Sequence, residues 1–212
     1  GNGGIETFKV EPNGAGFRLT NPGDFLKPLL ASDMEFGYDG KIYVSHFGNL
    51  IWKGGNGGGR VYTLFDPQKI QSDEVKQVRE LFAKGFDNRT TEELGQLLEQ
   101  ADQRVRREAQ FSLAERLRKI PEDKQVLIAL SHALLPDKPL TTRLHALWAF
   151  GQIAREDGAA RDAIAKQLKD TDPEIRANAA RLVGSCQMFR VVSQLVPLLK
   201  DSSPRVRMWS AI

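Results

Sequence analysis

The sequence predicts an α+β protein divided by segment, with an N-terminal antiparallel β segment followed by an α-solenoid of stacked helix pairs. Three observations predict this. A helical phrase recurs as Val105-Arg106-x-x-Ala109, Thr142-Arg143-x-x-Ala146, Ile175-Arg176-x-x-Ala179 and Val206-Arg207-x-x-Ser210, with its arginines 37, 33 and 31 residues apart. That is the period of helix-pair repeats, in which each pair buries its apolar face only against its neighbours. Most of the glycines and aromatics lie before Asp66, among short alternating runs, and from Ser72 the apolar period becomes helical. The expected division is 1–66 as β, 67–91 as a helical linker and 92–212 as helical repeats, the last of them truncated.

Taken in order, Glu6 to Val10 and Gly16 to Thr20 read as strands around a Pro12-Asn13-Gly14 turn. Asp33 to Phe36 and Lys41 to Ser45 flank Gly37-Tyr38-Asp39-Gly40, whose Asp-Gly supplies the positive φ values of tight hairpins. Gly54 to Gly59 read as a surface loop, and Arg60 to Phe65 as a strand ended by Asp66-Pro67. So few strands bury both faces only within a larger sheet assembly. Val75, Val78, Leu81 and Phe82 then form one stripe of a connector helix that stops at Gly85, and Thr90-x-x-Glu93 is a capping box for the next helix. Helices are expected in pairs at about 103–118, 122–135, 140–155, 159–169, 173–185 and 189–199, punctuated by prolines 121, 136, 139, 173 and 204.

Composition narrows the function classes. With 30 Lys and Arg against 27 Asp and Glu in 212 residues the net charge is only +3, so the pI near 9.0 does not mark a polycation. The single cysteine, Cys186, reads as a buried small apolar residue and excludes an intrachain disulfide. No run of apolar residues is long enough for a membrane span. Both ends are abrupt, and the chain reads as a fragment of something longer.

Gly14-Ala15-Gly16-Phe17, Ser32 through Ser45 and Gly58-Gly59-Arg60-Val61-Tyr62, followed by Arg89 through Leu94 and Gln103 through Phe111, resemble a family of membrane-bound dehydrogenases. In that family a sugar-dehydrogenase-like β-propeller precedes HEAT repeats and often a c-type cytochrome. The resemblance implies that the β segment is the propeller's last blade and that the helices are HEAT-like. It also implies an exported or periplasmic parent with a quinone cofactor, calcium or haem c outside this segment. Tyr38 stands where the family usually has proline, and His46 and Phe47 stand where it has aspartate and tryptophan. There is no Cys-x-x-Cys-His for covalent haem.

No catalytic, cofactor or metal residue is assigned. Asp33, Asp39 and His46 are close in sequence but read as a strand cap, a turn residue and a lone imidazole, and His132 and His145 lie outside any ligand motif. The Gly54 to Gly59 run precedes a strand, whereas a phosphate cradle precedes a helix. What remains is the repeat ladder Arg106, Arg143, Arg176 and Arg207 with Ala109, Ala146 and Ala179. Each arginine is expected to bond acidic or carbonyl groups of an adjacent turn, with Asp102 and Asp172 four residues before two of them. The expected partner is a protein, or other domains of the parent chain. A stand-alone interaction protein is the alternative, and a nucleic-acid binder the second. Arg104, Arg107, Arg116, Arg118 and Lys119 could form a basic face, but Glu108, Glu115, Glu122 and Asp123 interrupt it and no aromatic residue alternates with it.

Overall fold

The computed structural model describes residues 3–48, 58–121 and 123–212. The Gly54 to Gly57 part of the expected loop, and Glu122, lie outside the described residues. Internal contacts separate a strand-bearing unit, Gly1–Asn13 and Phe17–Lys84, from a mainly helical unit, Gly14–Gly16 and Gly85–Ile212.

In the first unit, β1 (Ile5–Asn13) and β2 (Gly16–Leu26) form a two-stranded sheet. Strands β3 (Ala31–Phe36), β4 (Ile42–His46) and β5 (Arg60–Leu64) form a three-stranded sheet in that order, antiparallel throughout. The β3–β4 register sets Met34 opposite Val44 and Phe36 opposite Ile42. Gly40 closes the turn at φ +78°, while Gly37 N–H donates to Lys41 O at 2.8 Å. Asp39 holds the same turn by accepting the Lys41 amide at 3.2 Å and the Tyr43 hydroxyl at 2.9 Å. Alternation gives Val44 a fully buried face in the central strand, and it is the one strand residue so buried among those described. A 3₁₀ turn at Lys69–Gln71 leads into α1 (Asp73–Lys84), where Phe82 stacks on Tyr38 at 3.8 Å between ring centres. Gly85 follows α1 at φ +71°, the left-handed position that ends a helix.

The helical unit holds α2 (Thr91–Leu97), α3 (Gln103–Lys119), α4 (Lys124–Ala133), α5 (Leu140–Ile153), α6 (Gly158–Gln167), α7 (Pro173–Ser185) and α8 (Pro204–Ala211). Local chemistry starts most of them. Thr90 and Glu93 close a reciprocal capping box, and Asp102, Asp123, Asp157 and Asp172 each accept a first-turn amide. Helices alternate in their packing: α3 lies on α5, α5 on α7 and α7 on α8, while α2 lies on α4 and α4 on α6. Leu94, Leu113, Leu130, Leu147, Phe150 and Ile164 fill the space between them and are fully buried.

One expected helix differs. Residues 189–199 form two 3₁₀ segments, Phe189–Leu195 and Pro197–Lys200. Pro197 has no amide to donate to the turn before it, and Val191, Val192 and Val196 are β-branched, so a continuous α-helix is disfavoured there. Strands β1 and β2 run longer than the sequence suggests, and β5 ends one residue earlier, at Leu64.

Candidate functional site

The recurring phrase occupies the first turns of α3, α5, α7 and α8. Ala109, Ala146 and Ala179 are fully buried, as are Val105, Ile175 and Val206, the residues just before three of the arginines. In α5 the corresponding residue is Thr142, also buried, with a hydroxyl that has no hydrogen-bond partner among the described residues.

Each arginine reaches back to the segment before its helix. Arg106 Nη1 donates to Gln100 O and Ala101 O at 2.6 and 2.7 Å, Arg176 Nη1 to Asp170 O and Thr171 O at 2.8 and 3.0 Å, and Arg207 Nη1 to Asp201 O and Ser202 O at 2.7 and 3.0 Å. The acceptors are five and six residues upstream in all three cases. Arg143 uses Leu134 O instead, at 3.1 Å. The linker ahead of α5 carries Pro136 and Pro139 and belongs to the longest of the three spacings, which moves the acceptor.

Two arginines also reach forward. Arg143 Nη2 pairs with Asp170, and Arg176 grips Asp201 with a fork of two 2.9 Å bonds. The Arg176 pair is bidentate and charged, and the Arg143 pair is charged and almost wholly buried, so both are strong links between segments far apart in the chain. The Arg176 fork, ahead of other causes, holds the Asp201 carboxyl below the usual carboxylate range. Each aspartate also accepts an amide of its own linker at 2.8 Å, that of Asp172 or Ser203. Asp170 and Asp201 thus connect a helix in one pair to the linker that opens the next.

Asp102 and Asp172, which precede the arginines by four residues, are helix caps instead. The informative position is six residues before the arginine, filled by Gln100, Asp137, Asp170 and Asp201. Asp137 falls in the long linker and is exposed, and Arg106 Nε is buried without a partner among the described residues. Burial accordingly lowers the Arg106 pKa. Beside it, His145 Nδ1 lies 2.8 Å from Gln110 Oε1 and is nearly inaccessible. Burial first, and the Arg106 charge second, push its pKa down to about 4, so the imidazole is neutral near pH 7.

The remaining candidates do not converge. Asp39 is in the β3–β4 turn and His46 at the far end of β4, where its ring meets Tyr62 edge-on at 5.8 Å. Asp33 binds the neighbouring Met34 amide at 2.8 Å. His132 is exposed on α4. Among the described residues no three His, Cys, Asp or Glu side chains are grouped to hold a metal. Arg104 pairs with Asp102 at 2.7 Å and Arg118 with Glu115 at 2.6 Å, which neutralises part of the basic face.

An open groove of about 660 Å³ runs along α2 and α4. Thr90, Gln96, Gln125 and His132 give it polar edges, and Ile128 on it is 68% exposed. The family model for HEAT repeats matches residues 161–212, from α6 to α8. Comparison with curated proteins finds no match. In the described residues no helix is long and apolar enough to cross a membrane.

Proposed function

We propose that this chain is a HEAT-repeat scaffold, a solenoid whose α2 and α4 face binds a protein partner. The observation that carries this reading is the division of labour among the helices. Small residues and arginine links join successive pairs, while an isoleucine on α4 is left at a groove that no described element fills. Ile128, Ala129 and Gly95 give the groove an apolar strip inside a polar rim, the arrangement of a protein interface. Affinity capture with the whole chain, repeated with the purified captured protein, tests the reading. Ile128→Asp is expected to abolish the complex without lowering the unfolding temperature; undiminished binding by the variant contradicts the assignment.

The finer reading places these residues at the junction between the last propeller blade and the HEAT repeats of a dehydrogenase-like parent. Its support is the resemblance of the Gly14–Phe17, Ser32–Ser45 and Gly58–Tyr62 segments, together with the order of strands and helices. In that reading, oxidation of a sugar or alcohol belongs to other blades, and quinone, calcium and haem c belong to other segments. The parent protein, supplied with quinone and calcium, is expected to reduce an artificial electron acceptor when a sugar is present. No reduction under any loading would remove the dehydrogenase parent and leave the scaffold standing.

A further inference from the structure

A second cavity, of about 710 Å³, opens where the α5–α6 turn meets the segment after α7, and no arginine of the ladder lines it. Arg155, Arg161 and Arg190 line it against a single carboxylate, Asp162. Arg155 and Arg190 are exposed, and none of the three joins an ion pair among the described residues. Arg161 Nη1 donates to Ala154 O and Arg155 O at 2.8 and 3.3 Å, and Arg155 Nη2 to Ser185 O at 2.9 Å. Each bond set occupies one guanidinium nitrogen, so each fork keeps donors to spare. The first turn of α6 meets the cavity at Gly158, with its Ala160 amide held by the Asp157 carboxylate, so the cationic character comes from the arginines.

The cavity is not purely ionic. Met188 and Cys186 are buried in its wall, and Phe189 stands 78% exposed at its side. Burial raises the Cys186 thiol pKa, so the sulfur stays protonated and offers no nucleophile. Three arginines beside an apolar wall and one open aromatic ring suit carboxylates alternating with apolar side chains. A nucleic acid would want a longer cationic track and several rings for stacking.

We propose that this cavity binds a short acidic peptide segment of a partner protein, with its carboxylates on Arg155, Arg161 and Arg190 and an apolar neighbour against Phe189. The proposal rests on the protein-binding reading and names a surface apart from the α2–α4 groove. Fluorescence anisotropy with the whole chain and a fluorescein-labelled glutamate–leucine peptide tests it. Saturable binding is expected, about tenfold or more tighter than for a lysine–leucine peptide and weakened by added salt.

The Arg155→Glu/Arg190→Glu variant spares Arg161, which ties the α5–α6 turn, and is expected to lose about tenfold or more in affinity while still unfolding cooperatively. Arg190→Glu alone, which leaves the Arg155 bond to Ser185 in place, is expected to lose a few fold with an unchanged unfolding temperature. Phe189→Ser is expected to lose a few fold. No saturable binding, equal affinity for the lysine peptide, or an undiminished double variant each overturns the proposal. Binding lost in Ile128→Asp and kept in the arginine variant also overturns it, while leaving the proposed function intact. Displacement of the peptide by a single-stranded oligonucleotide at lower concentration assigns the cavity to nucleic acid and overturns the peptide.

Discussion

The strand unit and the helical unit solve the burial of apolar surface differently. Among the described strand residues only Val44 is fully buried, while Phe8, Val10, Phe17, Leu19 and Val61 are all more than half exposed. The helices bury leucines, a phenylalanine and the repeat alanines completely. A helix pair finds its partner in the next thirty or so residues of the same chain, so its core closes locally. Strands of two small sheets have no such neighbour at fixed spacing, and their exposed faces leave little to hold them.

The largest blow to that contrast is Ala146→Arg. Ala146 is fully buried where α5 packs on α3 and α7, so the variant is expected to lose cooperative unfolding of the helical unit by circular dichroism. A variant as stable as the parent would refute the packing. Asp170→Ala leaves Arg143, which is almost wholly buried, without its carboxylate. A cost of about 3–5 kcal/mol in denaturant unfolding is expected, against about 0.5 kcal/mol or less for Glu115→Ala at an exposed pair.

A pH series sharpens the comparison next. His145 titrates near 4 when folded and near 6.5 when unfolded, so between those values the unfolded chain binds the extra proton. Stability is therefore full above the unfolded value and falls as pH drops from about 6.5 to 4, by roughly 3 kcal/mol at most. The depressed Asp201 carboxyl acts in the same direction at lower pH, being protonated more readily in the unfolded chain. His145→Gln is expected to flatten the upper part of this slope, and an unchanged slope would remove His145 from the account.

Smaller effects separate the units again. Val44→Ala is expected to cost about 1–2 kcal/mol in the strand unit, and Val61→Ala, on an open face, about 0.5 kcal/mol or less. Equal costs would mean that the faces of β4 and β5 are not distinguished by burial. Thr142→Val is expected to stabilise the helical unit by about 1 kcal/mol, because it replaces a buried unpartnered hydroxyl with a methyl of similar shape. Thermal unfolding read at the helical signal checks this.

The parts of the fold readable from sequence are those fixed by neighbours in the chain. Thr90 and Glu93 cap α2 through two reciprocal bonds, Gly40 and Gly85 take the left-handed conformation, and α7 spans Pro173 to Ser185. Contacts between repeats were harder to read. Asp170 and Asp201 bond arginines 27 and 25 residues away, and attention to the fourth residue before each arginine picks out helix caps instead. The signal was available as an aspartate six residues before Arg143, Arg176 and Arg207, yet linker length decides whether it is used, and Asp137 is turned out to solvent. His145 gives no local sign of its burial, which depends on Gln110 of another helix. The 3₁₀ geometry after Met188 follows from Pro197 acting together with the surrounding valines, where each alone is compatible with a helix end.

The central claim is that an arginine at the start of one helix is energetically tied to the linker that opens the next pair. A double-mutant cycle on Arg143→Met and Asp170→Leu, followed by denaturant unfolding, measures that tie directly. A coupling of about 2 kcal/mol or more between the two changes is the predicted result. Additivity within about 0.5 kcal/mol would contradict it, because two groups that do not meet in the folded chain show no interaction energy.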